Sequence, residues 1–171
     1  MTVAANFVLF QAAWFTSVIG AANDRAWLGP VAIAAAAIWH LACAERPVRE
    51  LALLAIAALL GIVFETLLVQ TGLTRYASNE IPGLAPLWMM AMWVLFATTL
   101  NVTLRGLQQR TWLAVLLGAA GGPLAYFGGE RLGALHFGSR GPALLVIALG
   151  WALLTPLLLR VAARCDGYAH S

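Results

Sequence analysis

Two residues, Glu65 and Tyr126, carry the chemistry that is hardest to explain as filler. Each lies deep in a long apolar run, where a polar group is costly unless it faces protein. Ala57 and Gly61 precede Glu65 at four-residue spacing, and Gly118 and Gly122 precede Tyr126 in the same way. Four-residue spacing puts such residues on one helix face, and small residues there let a second helix close in. Both polar groups therefore point into protein. Each sits about 15 residues from one end of its run, or roughly 22 Å along a helix. Matched depth, and the cost of an unpartnered carboxyl in hydrocarbon, predict that Glu65 and Tyr126 meet, directly or through one water. The pair is either structural glue or a proton carrier or catalytic acid. On the second reading, Glu65 and Tyr126 are the candidate catalytic residues.

A second polar tier lies nearer the other face. Ala91, Thr98, Asn101 and Arg105 share one side of a fourth helical run, with Gln11 and Trp14 in the first run and His40 near the end of the second. Gln11, Trp14, His40, Thr98, Asn101 and Arg105 are the candidate ligand-binding residues of a shared cavity. The competing reading is interhelical hydrogen bonding, worth about 1 kcal/mol each. Other motifs are weak. No Gly-rich phosphate loop and no Ser-His-Asp context is visible. The chain has 3 His and 2 Cys, too widely spaced for a metal site, so none is expected. Asn101-Val102-Thr103 reads as a glycosylation acceptor but falls inside a helical run. His136 and His170 read as solvated loop and tail residues. Cys43 and Cys165 fall at ends assigned to the cytoplasm, where no disulfide is expected.

What must position these groups is a set of membrane helices. The chain has 171 residues, 62% of them hydrophobic and 10% charged, with a mean hydropathy of +0.85. Soluble domains run at roughly 25% charged residues. Charges divide the sequence into six apolar runs: the N-terminus to Asn23, Ala26 to Ala44, Leu51 to Thr74, Ile81 to Leu104, Thr111 to Gly129 and Gly141 to Leu159. About 20 apolar residues cross a bilayer, so residues 1–171 read as one all-α domain, a bundle of six transmembrane helices with no strand. The first run lacks the basic flank of a signal peptide and reads as a retained helix.

Arg46, Arg49, Arg105, Arg110, Arg160 and Arg164 fall on the side of the termini, against Arg25, Arg75, Arg131 and Arg140 opposite. That bias places both termini in the cytoplasm. All 10 basic residues are Arg and are scattered singly, which argues for topology and against nucleic acid; in a bundle this apolar the partner expected is membrane lipid. Trp27, Trp88 and Trp112 read as interfacial, Trp14 and Trp151 as buried at mid-depth. Pro30, Pro86 and Pro142 mark first turns, whereas Pro123 predicts a bent or broken fifth helix. Gly29-Pro30 and Gly141-Pro142 are the one internal echo noted, and they do not fit a three-plus-three repeat.

The string Asn6-Phe7, Phe10-Gln11, Trp14-Phe15, Gly20-Ala21-Ala22 and Trp27-Leu28-Gly29-Pro30 resembles a family of small bacterial inner-membrane proteins, domain of unknown function 2878. The likeness continues through Leu87-Trp88, Phe96 to Asn101 and Gly121 to Tyr126. At the position of Glu65 the relatives carry an acidic residue, often Asp. The resemblance implies no assigned activity; its association with gene neighbourhoods for fatty-acyl methylation and flavin-dependent oxidation implies membrane-lipid modification. Two functions are therefore carried forward. One is an accessory protein or enzyme of fatty-acyl modification, with Glu65 and Tyr126 near the reacting segment. The other is a small-solute binding or transport component.

Overall fold

The computed structural model describes residues 1–78 and 81–168, so His170 lies outside the described residues. Among the described residues six α-helices run back and forth: α1 (Val3–Ala22), α2 (Leu28–Ala42), α3 (Pro47–Gln70), α4 (Leu87–Leu100), α5 (Thr111–Arg131) and α6 (Arg140–Arg164). Four of them, α1, α3, α5 and α6, are long and apolar enough to cross a membrane. α2 and α4, of 15 and 14 residues, are shorter. At the helical rise they reach about 22 and 21 Å, against a hydrocarbon core of roughly 30 Å. Leu59 and Leu153 are 65% and 72% exposed on the outward faces of α3 and α6. Outward Leu with inward polar groups reverses the pattern of a water-soluble helix, which marks an integral membrane protein.

Local sequence sets the helix ends. The Thr2 hydroxyl accepts from the Ala5 N–H and caps α1, and Pro47 opens α3 at a position that needs no N–H donor. α3 and α5 stop in the same way. Gly72 and Gly133 take φ of 70° and 88°, and the next amides, Leu73 and Ala134, donate back to Leu68 and Gly129. This is the left-handed glycine stop that satisfies the last helical carbonyls.

The expectation of no strand is overturned. After those stops, β1 (Thr74–Tyr76) and β2 (Leu135–Phe137) pair antiparallel, with Arg75 opposite His136. Three-residue strands carry no readable alternation, and each needs a partner from a distant loop. The fourth helix also differs from its expected run. It ends at Leu100, and 101–107 continue as turns with a 3₁₀ segment at Arg105–Leu107, so Asn101 and Arg105 leave the face that Thr98 occupies. α5 is continuous through Pro123 rather than broken, and α6 likewise contains Pro156. Trp27 and Trp112 are exposed, and Trp88, at the start of α4, is buried against Tyr76, its indole N–H bonded to Ser78 Oγ at 3.1 Å.

α1 and α2 pack on each other and on α4; α3 packs on α4, and α5 on α6. An internal repeat explains the centre of this arrangement. Ala57, Gly61, Glu65 and Gly72 in the first unit recur 61 positions later as Gly118, Gly122, Tyr126 and Gly133. Gly61 seats Trp93 and Gly122 seats Trp151: an added Cβ would lie 2.2 and 2.4 Å from the respective indole Cγ. The two indoles stack on each other, with ring centroids 4.7 Å apart and 25° between planes. Ala85, Met89 and Trp93 of the α4 region match Ala143, Ile147 and Trp151 of α6 at a constant offset, and five of these six are buried. The two helix–strand–helix units thus meet about the Trp pair.

Candidate functional site

The repeat brings Glu65 and Tyr126 to equivalent places, seven positions before each stop glycine. Both are buried, and the Tyr126 hydroxyl donates to Glu65 Oε1. Trp93 Nε1 donates to the same oxygen at 2.8 Å, and the Tyr76 hydroxyl donates to Oε2 at 2.6 Å. Three donors from β1, α4 and α5 therefore surround one carboxyl. Sequence reasoning found the Glu65–Tyr126 contact but missed Tyr76 and Trp93. Tyr76 reaches the site because β1 turns back over the end of α3. Burial, and then the Glu65 carboxylate beside it, hold the Tyr76 phenol well above its usual range and keep it a donor. An indole N–H can only donate, so Trp93 fixes Oε1 as an acceptor.

A cavity of about 480 Å³ opens beside this cluster, between α1 and α4 on one side and α5 on the other. Gln11 and Trp14 line it, as do Trp93 and Tyr126, whereas Glu65 and Tyr76 stand behind its wall. Its mouth is apolar: Phe7 and Phe15 of α1 and Leu117 and Leu124 of α5 are exposed there. The volume is that of a small-molecule site, generally 300–1,000 Å³. A phenol facing the cavity with a carboxyl behind it can pass a proton to or from a ligand without admitting water.

The other expected ligand-binding residues do not join that cavity. Thr98 donates to Leu95 O within its own helix, and its carbonyl accepts from Asn6 Nδ2 at 3.1 Å. His40 and Asn101 belong to a separate cluster at the end of the bundle that holds the termini. There Glu50, also buried, meets His40 Nε2 at 2.8 Å through Oε2 and accepts from Asn101 Nδ2 and Gly167 N–H, each at 2.7 Å, through Oε1. Arg105 pairs with Asp166 and donates from Nε to Asn101 O at 3.0 Å. The Tyr168 hydroxyl donates to the His40 carbonyl and lies 3.3 Å from its Nδ1. Burial first, then nearby Cys43 and Glu50, push the Tyr168 phenol above its usual range. This cluster went unread because Glu50 sits at the polar edge of its run and draws a partner from the tail, 117 positions away.

Residues 3–157 match the family described as Protein of unknown function (DUF2878). That is most of the chain, and the protein belongs to this family. No curated protein and no solved structure matches it.

Proposed function

We propose that this DUF2878 member is a bacterial inner-membrane protein that crosses the bilayer six times, keeps both termini in the cytoplasm, and acts on membrane lipid. An acyl chain enters sideways from the bilayer, between α1 and α5, and its reacting segment meets Tyr126 with Glu65 behind it. The observation that carries this reading is the cavity itself, with an apolar mouth between two lipid-facing helices and, on its wall, the Tyr126 hydroxyl backed by a buried carboxyl. A water-borne substrate would face an apolar mouth instead of a polar one. The excess of Arg at the end bearing the termini supports the orientation.

Acyl-chain and headgroup profiles of a strain lacking the protein, grown under oxidative stress, test the function. A changed acyl profile, restored by the wild-type gene and not by Tyr126→Phe, is the expected result; an unchanged profile ends the reading. Orientation is tested with a membrane-impermeant maleimide on Cys43 and Cys165, both free and partly exposed. Labelling only after the inner membrane is permeabilised supports cytoplasmic termini.

A small-solute carrier is the second reading, and the repeat favours it, because many carriers are built from two like units. Thermal stabilisation by a member of a solute panel would support it, and a uniform lack of stabilisation would count against it.

A further inference from the structure

The cavity holds polar atoms that a plain hydrocarbon chain would leave unmatched. Thr155 of α6 is 1% exposed, lines the cavity, and its Oγ1 has no hydrogen-bond partner. One turn away, Trp151 Nε1 is also buried and has no partner of hydrogen-bonding geometry, although the indole neighbours Tyr126. Buried donors are normally satisfied, and each one that is not calls for an explanation. Thr155 lies about 15 residues, roughly 22 Å, from the start of α6 and about four residues, roughly 6 Å, inside Leu159, where the apolar run ends. An oxygen carried on a ligand within that apolar span would meet it.

The rest of the lining narrows the ligand further. Phe10, Trp14, Trp88, Trp93, Phe96 and Trp151 all border the same space. Aromatic faces gain more than simple area burial when they meet another flat π-system, and nothing extra from a saturated chain. The Trp93–Trp151 stack presents such a surface next to the two unmatched donors.

We propose that the cavity selects a membrane-dissolved ligand with a flat, unsaturated segment bearing an oxygen acceptor, which the Thr155 hydroxyl and the Trp151 N–H bind within the apolar span of α6. This rests on the lateral-cavity reading above and names the chemistry that the cavity selects. An oxygenated, unsaturated acyl chain and the ring of an isoprenoid quinone share that chemistry. In both, the oxygen accepts from Thr155 while the flat segment lies along the aromatic wall.

The full-length protein in detergent is titrated with three probes and read by native mass spectrometry: octadecanoate, a conjugated keto-octadecadienoate, and a short-tailed benzoquinone. At least one oxygenated probe is expected to bind several-fold more tightly than octadecanoate. Thr155→Val, which keeps the side-chain shape, should cut that affinity roughly fivefold, the loss of one hydrogen bond, and leave octadecanoate unchanged. Thr155→Ser should restore it. Which oxygenated probe shows the Thr155 dependence decides between acyl and quinone sources. Equal binding of octadecanoate and both oxygenated probes, or a preference that Thr155→Val leaves intact, overturns this proposal while the lateral acyl site stands. No binding of any probe overturns both.

Discussion

Replacing Glu65 tests whether its three donors act as one unit. Glu65→Leu leaves Trp93 Nε1, the Tyr76 hydroxyl and the Tyr126 hydroxyl buried with no carboxyl to receive them. Each orphaned donor costs about 1–3 kcal/mol, so the sum is about 3–9 kcal/mol, comparable to the whole stability of a domain at about 5–15 kcal/mol. Glu65→Gln is far milder. Its amide oxygen, placed at the Oε1 position, still accepts from Trp93 and Tyr126. Its amide nitrogen then donates to the Tyr76 oxygen, and the Tyr76 proton alone is left unmatched. That change costs about 1–2 kcal/mol, or a fall in Tm of about 2–8 °C for a chain of this size. The informative variant combines Glu65→Leu with Tyr76→Phe and Tyr126→Phe, which removes two of the three orphans and should recover most of the loss. Thermal unfolding in detergent, followed by tryptophan fluorescence, measures all four proteins. Glu65→Leu as stable as Glu65→Gln, or a triple variant no better than Glu65→Leu, would refute the reasoning. If Glu65 also handles protons, Glu65→Gln folds but fails to restore the cellular phenotype.

Gly122→Ala should displace the Trp151 indole, whose Cγ would lie 2.4 Å from the new Cβ, and cost about 1–3 kcal/mol, seen as lower Tm and altered tryptophan emission. Gly167→Ala should release the tail, because its Cβ would lie 2.7 Å from both Arg46 O and Glu50 Cγ; faster hydrogen exchange at the Glu45 and Arg46 amides, which donate to Gly167 O, reports it. Tyr168 predicts a pH dependence. Its phenol is raised in the folded protein, so its contribution is fully present below about pH 10, the unfolded value, and is lost as pH rises beyond that. Tail exchange measured from pH 8 to 11 should accelerate above about pH 10 in the wild type, and Tyr168→Phe should flatten that rise.

The Glu65–Tyr126 contact was legible because both signals were local: small residues at helical spacing, each ending in a polar group at the same depth. The helices themselves were legible from run length, though α2 and α4 came out shorter than their runs because Trp27, Pro86 and the turns after Leu100 bound them. The repeat stayed hidden because its matched positions changed chemistry, Glu65 to Tyr126 and Ala57 to Gly118, while keeping spacing and depth. The second carboxyl cluster was illegible for a different reason. Gln11 and Trp14 separate from His40, Asn101 and Arg105 only because the chain leaves the helix at Asn101 and the tail folds back onto Glu50, and neither event has a periodic signature. That Tyr76 covers Trp88 was illegible, because the short strand carrying Tyr76 has no periodic signature.

The strand pair also fixes an order of assembly. A chain made from its N-terminus presents β1 before β2 exists, and β2 arrives only after α5 has been built. Until then Glu65 has Tyr76 and Trp93 within its own unit but lacks Tyr126, and the α5 wall of the cavity is absent. In synthesis from the N-terminus, the candidate site therefore gains its third donor and its α5 wall only with the second unit, the one that also supplies β2.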